Sequence, residues 1–368
     1  MATIGEYESA YRALALCLAA RVPVILWGPP GQGKSSVIRA IAQDQDRYME
    51  QLVASIREPQ DFAGLPVVID GTTRLMPPDW ALRLSRVQDG ILFTDEVNTA
   101  PPSVQAALLR VSLDKVAGDC DLGADTSVVA AANPPELAAD GWDLAPPLAN
   151  RFCHLPWELP AEVLRDGIGG NWPTYPIQMP DPDLLQRAID DERARLAGFM
   201  AARPDLCTVL PRTAAEQGRA FPTPRSWEMA VLLSGWATAT EQPEGVRRML
   251  VRGCVGPGAT AEFLTYRENL DLPEPESVLA DPMGAVLPTR ADLVYVVGAG
   301  VLAVLRAEVT PARWHATGFV LERIAGAGHP DIAMAFARDW IRLRPETERP
   351  QSGVLQALIP LLAEADQV

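Results

Sequence analysis

The stretch Gly28-Pro29-Pro30-Gly31-Gln32-Gly33-Lys34-Ser35 decides how this chain is read. Its spacing is G-x-x-x-x-G-K-[ST], the phosphate-binding P-loop pattern. The apolar run Val22 to Trp27 before it reads as a short buried strand, and Ser36 to Ala42 after it has helical character. The strand, loop and helix that the pattern needs are therefore all present. Glycines let the backbone fold tightly, so that successive N–H groups converge on phosphate oxygens. The helix start adds a positive dipole end at the same place. Lys34 supplies a mobile cation for the β- and γ-phosphates, Ser35 a hydroxyl for Mg²⁺. Ser36 is counted with the loop as nucleotide-binding.

A second apolar segment, Gly90-Ile91-Leu92-Phe93-Thr94-Asp95-Glu96, ends in two acids. If it is a buried strand, both acids lie at its carboxyl end, where open parallel sheets bind ligands. Asp95 suits the Mg²⁺ shell, and Glu96 suits orienting and activating water. Thr126 to Ala132 reads as a further strand ending at Asn133. Beside the acids, Asn133 would reach the γ-phosphate or the water; Asn before Pro134 is equally a common turn starter. Arg151 follows a short helix near 145–151 and precedes the strand 152–157. Its guanidinium suits transition-state phosphate charge, and also suits a plain helix C-terminus. Arg225 opens a later helix, where the dipole does nothing for a cation.

Strands alternating with helices at this rhythm predict a mostly parallel sheet covered on both faces. A helix is expected at 6–20, a second strand at 49–56, a loop at 61–66 and a helix at 101–114 capped by Thr99 or Asn98. Asp70-Gly71 between Val67–Ile69 and Thr72–Leu75 predicts a hairpin. After Pro160 the pattern changes: a Gly/Pro/Trp/Tyr-rich linker, then helices at 227–236, 246–254, 312–325, 331–343 and 353–365. Leu185, Ile189, Leu196 and Met200 mark a helical stripe, and Thr289 to Asp292 resembles a capping box. The expected divisions are 1–160, 161–182 as linker, 183–285 and 286–368.

The 368 residues carry a formal net charge of −15, with 48% hydrophobic and 21% charged residues. That balance disfavours general binding to nucleic acid or anionic membrane, which needs clustered cations. Five scattered cysteines and three histidines form no CxxC or zinc spacing and read as buried thiols in a reducing compartment. No basic-then-apolar start and no membrane-length apolar run is read, so a cytoplasmic chain is expected.

Taken together, GPPGQGKS (28–35) and ILFTDE (91–96) resemble the Walker A and Walker B motifs of AAA+ ATPases. Within that group, DEVN (95–98), AANPPE (131–136) and LANRF (148–152) make the chain resemble the MoxR type. The likeness covers roughly residues 8–260. It implies an α/β fold: a P-loop αβα core with a mostly parallel sheet, an all-α lid at 183–285 and a C-terminal helical region. It implies ATP and Mg²⁺ as cofactors, with GTP the alternative nucleotide. Asn133 takes the place of sensor 1, Arg151 of the arginine finger and Arg225 of sensor 2. It further implies a homo-oligomeric ring, usually a hexamer, with nucleotide between subunits and Arg151 completing the neighbour's site. Such proteins act on a protein client, commonly with a separate von Willebrand A domain partner; client contacts would come from hairpin 66–77 and loop Ala117 to Ala124. The rival readings are a nucleic-acid-directed NTPase motor and a slow nucleotide-dependent scaffold. Three residues at two places depart from the family pattern. Gln32 replaces the usual Thr, which should matter little to a loop that works through its backbone. Asp114-Lys115 replaces Glu-Arg and would turn a rigid fork into a point charge.

Overall fold

The apolar runs bounded by turn residues become a central sheet with helices. The computed structural model describes residues 3–134, 143–269, 272–346 and 348–350. Helix α1 (Ile4–Ala19) opens on a capping box in which Thr3 and Glu6 each satisfy the other's backbone N–H. Strand β1 (Val24–Trp27) feeds the glycine loop, and α2 (Lys34–Asp44) leaves it. Strand β2 (Tyr48–Val53) stops short of the expected residue 56, because Ala54–Ile56 coil into one 3-10 turn. A short α3 (Gln60–Ala63) stands within the stretch expected to be loop. Strands β3 (Leu65–Ile69) and β4 (Thr72–Met76) then form the expected antiparallel hairpin. Asp70 and Gly71 both take positive φ, 51° and 76°, as a tight Asp-Gly turn requires.

Helix α4 (Asp79–Leu84) leads to β5 (Gly90–Asp95) and α5 (Pro102–Asp114). The cap of α5 differs from expectation. Pro101 is its N-cap with no side-chain hydrogen bond, while Thr99 Oγ1 donates to Glu96 O and the Asn98 amide is used elsewhere. Proline at the first turn removes a donor that a cap would have had to satisfy. A minimal hairpin of β6 (Val116–Ala117) and β7 (Cys120–Asp121) precedes β8 (Ser127–Ala132). Then come α6 (Pro146–Ala149), β9 (Cys153–Pro156) and α7 (Ala161–Ile168), the last within the stretch expected as linker. The five core strands are all parallel, in the order β2-β5-β8-β1-β9. The parallel sheet, its helices and the C-terminal helical region match the expected fold class. Ile25, Leu92, Phe62, Trp80, Val104 and Leu108 belong to one buried cluster on the α5 side of the sheet.

The described residues fall into two compact units, one drawn from 1–179 and 207–260, the other from 180–206 and 261–350. Helix α8 (Pro182–Ala202) belongs to the second unit. The chain then returns to the first for α9 (Ala214–Gln217), α10 (Pro224–Ala239) and the start of α11 (Glu244–Glu268). Helix α11 is broken at Gly256, whose φ of 79° and ψ of 170° are not helical, just before Pro257.

In the second unit α8 packs closely on α13 (Ala291–Ala307): a Cβ on Gly198 would lie 2.5 Å from Val296 Cγ2. Of the expected stripe, Ile189 is buried, while Leu185, Leu196 and Met200 are half-buried. The expected capping box at Thr289 is absent. The N-cap of α13 is Arg290, which pairs with Asp292 at 2.7 Å and so occupies the carboxylate a box would use. After α12 (Pro275–Ala280), helices α14 (Pro311–Gly326) and α15 (Pro330–Arg342) are joined by Trp314 and Trp340. Their rings stack at 4.7 Å, and each indole N–H donates to the other residue's carbonyl. The helix expected at 353–365 lies outside the described residues, as do Pro135 and Glu136. No described helix is long and apolar enough to cross a membrane.

Candidate active site

The loop between β1 and α2 is shaped by its glycines. A Cβ on Gly28 would stand 2.0 Å from Trp157 O, so no side chain fits there. Gly31 and Gly33 have φ of 76° and 63°, the left-handed region open to glycine. Pro29 and Pro30 fill the two positions between Gly28 and Gly31; Pro30 is exposed and Pro29 half-buried. Gln32 does more than expected of a backbone-only position. Its side-chain Oε1 accepts from Leu159 N at 3.0 Å, and its carbonyl accepts from Trp157 Nε1 at 3.2 Å.

Lys34 is buried at the start of α2. Its ammonium donates to Gly28 O at 2.6 Å, Pro29 O at 3.0 Å and Asn133 Oδ1 at 3.2 Å. Burial lowers its pKa, and the charges of Asp95 and Glu96 oppose that shift. Ser35 Oγ donates to Asp95 Oδ2 at 3.0 Å. The other Asp95 oxygen accepts from Glu96 N at 2.9 Å. Glu96 itself has φ of 56°, unusual for a residue with a side chain, and its carboxylate accepts from Ser55 Oγ at 2.5 Å. Asn133 follows β8, the strand next to β5, which is why it stands beside Lys34. Ser36 is exposed on α2.

Two positioning residues escaped the sequence reading. Asn98 clamps the Asn133 backbone, donating to its carbonyl at 2.8 Å and accepting from its N–H at 3.1 Å. Asn98 lies in the quoted DEVN stretch, yet nothing there announced this role. Ser55 carried no signal at all. Aromatic packing beside the loop was also missed: Tyr7 meets Trp157 at 5.5 Å, Tyr11 meets Tyr175 at 5.3 Å, and a Cβ on Gly33 would lie 3.1 Å from Trp172 Cη2.

The charges of Arg151 and Arg225 oppose each other. Arg151 Nη1 donates to Pro147 O. Its pKa is lowered by burial first and by the neighbouring charge of Arg225 second, against a smaller pull from Asp114. Asn150 links the helix ends that carry them. It donates to Phe221 O at 3.1 Å and accepts from Thr223 Oγ1 at 2.8 Å, while Thr223 caps α10 through Ser226 N. The start of α10, with Arg225, is thereby tied to the end of α6. Among the described residues, no hydrogen bond or ion pair joins Arg151 or Arg225 to the set of Lys34, Ser35, Asp95, Glu96 and Asn133. Lys115 takes the left-handed C-cap of α5, and its ammonium donates to Ala124 O within its own loop.

A bound nucleotide phosphate fits this arrangement. Backbone N–H groups, a helix start and a buried ammonium converge in one loop. The paired oxygens of Ser35 and Asp95 are hard ligands of the kind Mg²⁺ takes.

Residues 23–152 match the family described as AAA domain (dynein-related subfamily). Over 117 residues the chain is 31% identical to protein MoxR of Methylorubrum extorquens; the match covers 31% of this chain and spans about a third of that relative's length (33%). A solved Cytophaga hutchinsonii protein, described as a candidate ATPase, superposes with a TM-score of 0.42 and 16% identity, covering 73% of this chain and 93% of that one.

Proposed function

We propose that this chain, a MoxR-like member of the AAA+ family, hydrolyses ATP with Mg²⁺ at the loop Gly28–Ser35. In this reading it works as a ring and uses the reaction to remodel a protein client. One observation carries the reading: Lys34, Ser35, Asp95, Glu96 and Asn133 stand together at the carboxyl ends of β1, β5 and β8. That edge is where parallel α/β sheets bind ligands.

In this reading each residue has a role. The loop N–H groups and Lys34 hold the β- and γ-phosphates. Ser35 and Asp95 hold Mg²⁺, which neutralises charge on the phosphoryl oxygens when bound. Glu96 accepts the proton of the attacking water, whose oxygen goes to the γ-phosphorus as the bond to ADP breaks. Asn133, fixed by Asn98, orients the γ-phosphate or the water. The charge of Arg225 opposes that of Arg151, and an anionic phosphate nearby would relieve that opposition. Arg151 is assigned to the neighbouring subunit's γ-phosphate, and Arg225 to coupling the nucleotide to the helical lid. Hexameric assembly and a separate von Willebrand A domain partner belong to this proposal. So does client contact through the β3–β4 hairpin, where Leu65, Val68 and Ile69 are exposed.

The test is ATP turnover by the purified chain against Glu96→Gln. Hydrolysis lost in the variant while ATP is still bound supports the reading. No hydrolysis by the unaltered chain, even at high protein concentration, would favour the slow scaffold.

A further inference from the structure

Beside the end of β1 lies a second cavity of about 510 Å³, lined by none of Lys34, Ser35, Asp95, Glu96 and Asn133. It belongs wholly to the first compact unit. Trp27 anchors it. The indole Nε1 donates to His154 Nδ1 at 2.9 Å, and the two rings lie within 11° of parallel. Since Nδ1 accepts, His154 carries its proton on Nε2, which donates to Ala149 O at 2.8 Å. The guanidinium of Arg219 sits 3.8 Å from the centre of the Trp27 ring. A cation over an indole in this way is held flat and aligned.

Two more arginines line the same space. Arg248 and Arg252 are four residues apart on α11, and so lie on one helix face. Three guanidinium groups therefore line one cavity, and no carboxylate lines it. This is a marked concentration of one sign in a chain of net charge −15. Guanidinium forks match phosphate oxygens two at a time, and the volume is that of small-molecule sites.

We infer that this cavity is a second binding site, which takes a small phosphorylated molecule by its phosphate group. The inference does not rest on the reaction proposed above. Its position lets it influence the loop: Trp27 is the residue before Gly28, whose carbonyl accepts from Lys34. A ligand that shifts Trp27 shifts that carbonyl, and the coupling is reciprocal.

Inorganic pyrophosphate is the probe. It is titrated calorimetrically, without Mg²⁺, into full-length Lys34→Ala protein, in which the loop lacks its ammonium. Saturable binding is expected, weakened about tenfold or more when Arg248→Ala and Arg252→Ala are added. Both arginines are exposed on a helix, and an unchanged thermal midpoint confirms the fold of the variant. Arg252→Glu alone, which places a carboxylate in the cavity, should weaken binding at least as much. Absence of saturable binding, or equal affinity with and without the two arginines, overturns the inference.

Discussion

The side chain of Asn98 holds the backbone of Asn133 at two points, donating to its carbonyl at 2.8 Å and accepting from its N–H at 3.1 Å. Asn98 is only 3% exposed. Asn98→Ala leaves both groups to find other partners, at about 1–3 kcal/mol. The expected result is a kcat about tenfold or more below the original, with ATP affinity changed much less. An unaltered kcat in a folded variant would show that Asn133 needs no such brace.

Glu96 is held by Ser55 at 2.5 Å on a backbone with φ of 56°. Glu96→Gln keeps the shape and removes the base. Hydrolysis should fall about 100-fold or more while ATP stays bound. Ser55→Ala frees the carboxylate without removing it, and a loss of only a few fold is expected. Single-turnover rates and ATP binding on the same preparations distinguish the two; equal rates for Glu96→Gln and the original would remove Glu96 from the mechanism.

Gly28→Ala puts a methyl group 2.0 Å from Trp157 O. The backbone cannot easily yield, because Trp157 N donates to Trp27 O at 2.7 Å and ties the two strands together. Overpacking of this kind costs about 1–3 kcal/mol or more. A lower denaturant midpoint and weakened ATP binding are expected together. A variant as stable as the original would mean that the loop and β9 separate readily.

Burial, and secondarily Arg219, lower the His154 pKa to about 4, against the Ala149 carbonyl, which favours the charged form. The unfolded chain therefore binds more protons than the folded one between about pH 6.5 and pH 4. Stability tied to neutral His154 is present above the unfolded value and is lost as pH falls towards 4, by about 2–3 kcal/mol. Protonation would also break the bond from Trp27 Nε1. Urea midpoints across this range should fall more steeply for the original chain than for His154→Gln; identical slopes would refute the assignment.

Arg151→Ala and Lys34→Ala subunits should each be inactive alone. Mixed and assembled together they should recover part of the activity, because an intact Lys34 set then meets an intact Arg151 from a neighbour. Light scattering verifies assembly, and inactive mixed rings would place Arg151 on its own chain's nucleotide.

Much of this was legible before any coordinates. The loop, its flanking strand and helix, the acids ending β5 and the Asp-Gly hairpin are local patterns. Their physics is contained in a few consecutive residues, so spacing alone exposes them. The same locality explains what failed. Thr99 looked like a cap and Thr289 like half of a capping box, because both stand where such residues act. Pro101 and the Arg290–Asp292 pair took those positions instead, and only competition in three dimensions decides that.

By itself, the sequence determined that residues 28–35 form a glycine-rich turn between a strand and a helix, and that the strands around it run parallel. These follow from glycine geometry, strand-length apolar runs and helix periodicity. The tertiary structure alone decided who meets whom across the sheet. The order β2-β5-β8-β1-β9 brings Ser55 to Glu96 across 41 residues and Asn98 to Asn133 across 35. It also tied the start of α10, which carries Arg225, to the end of α6 through Asn150. Strand neighbours depend on packing among distant segments, and no stretch of the chain carries that information alone.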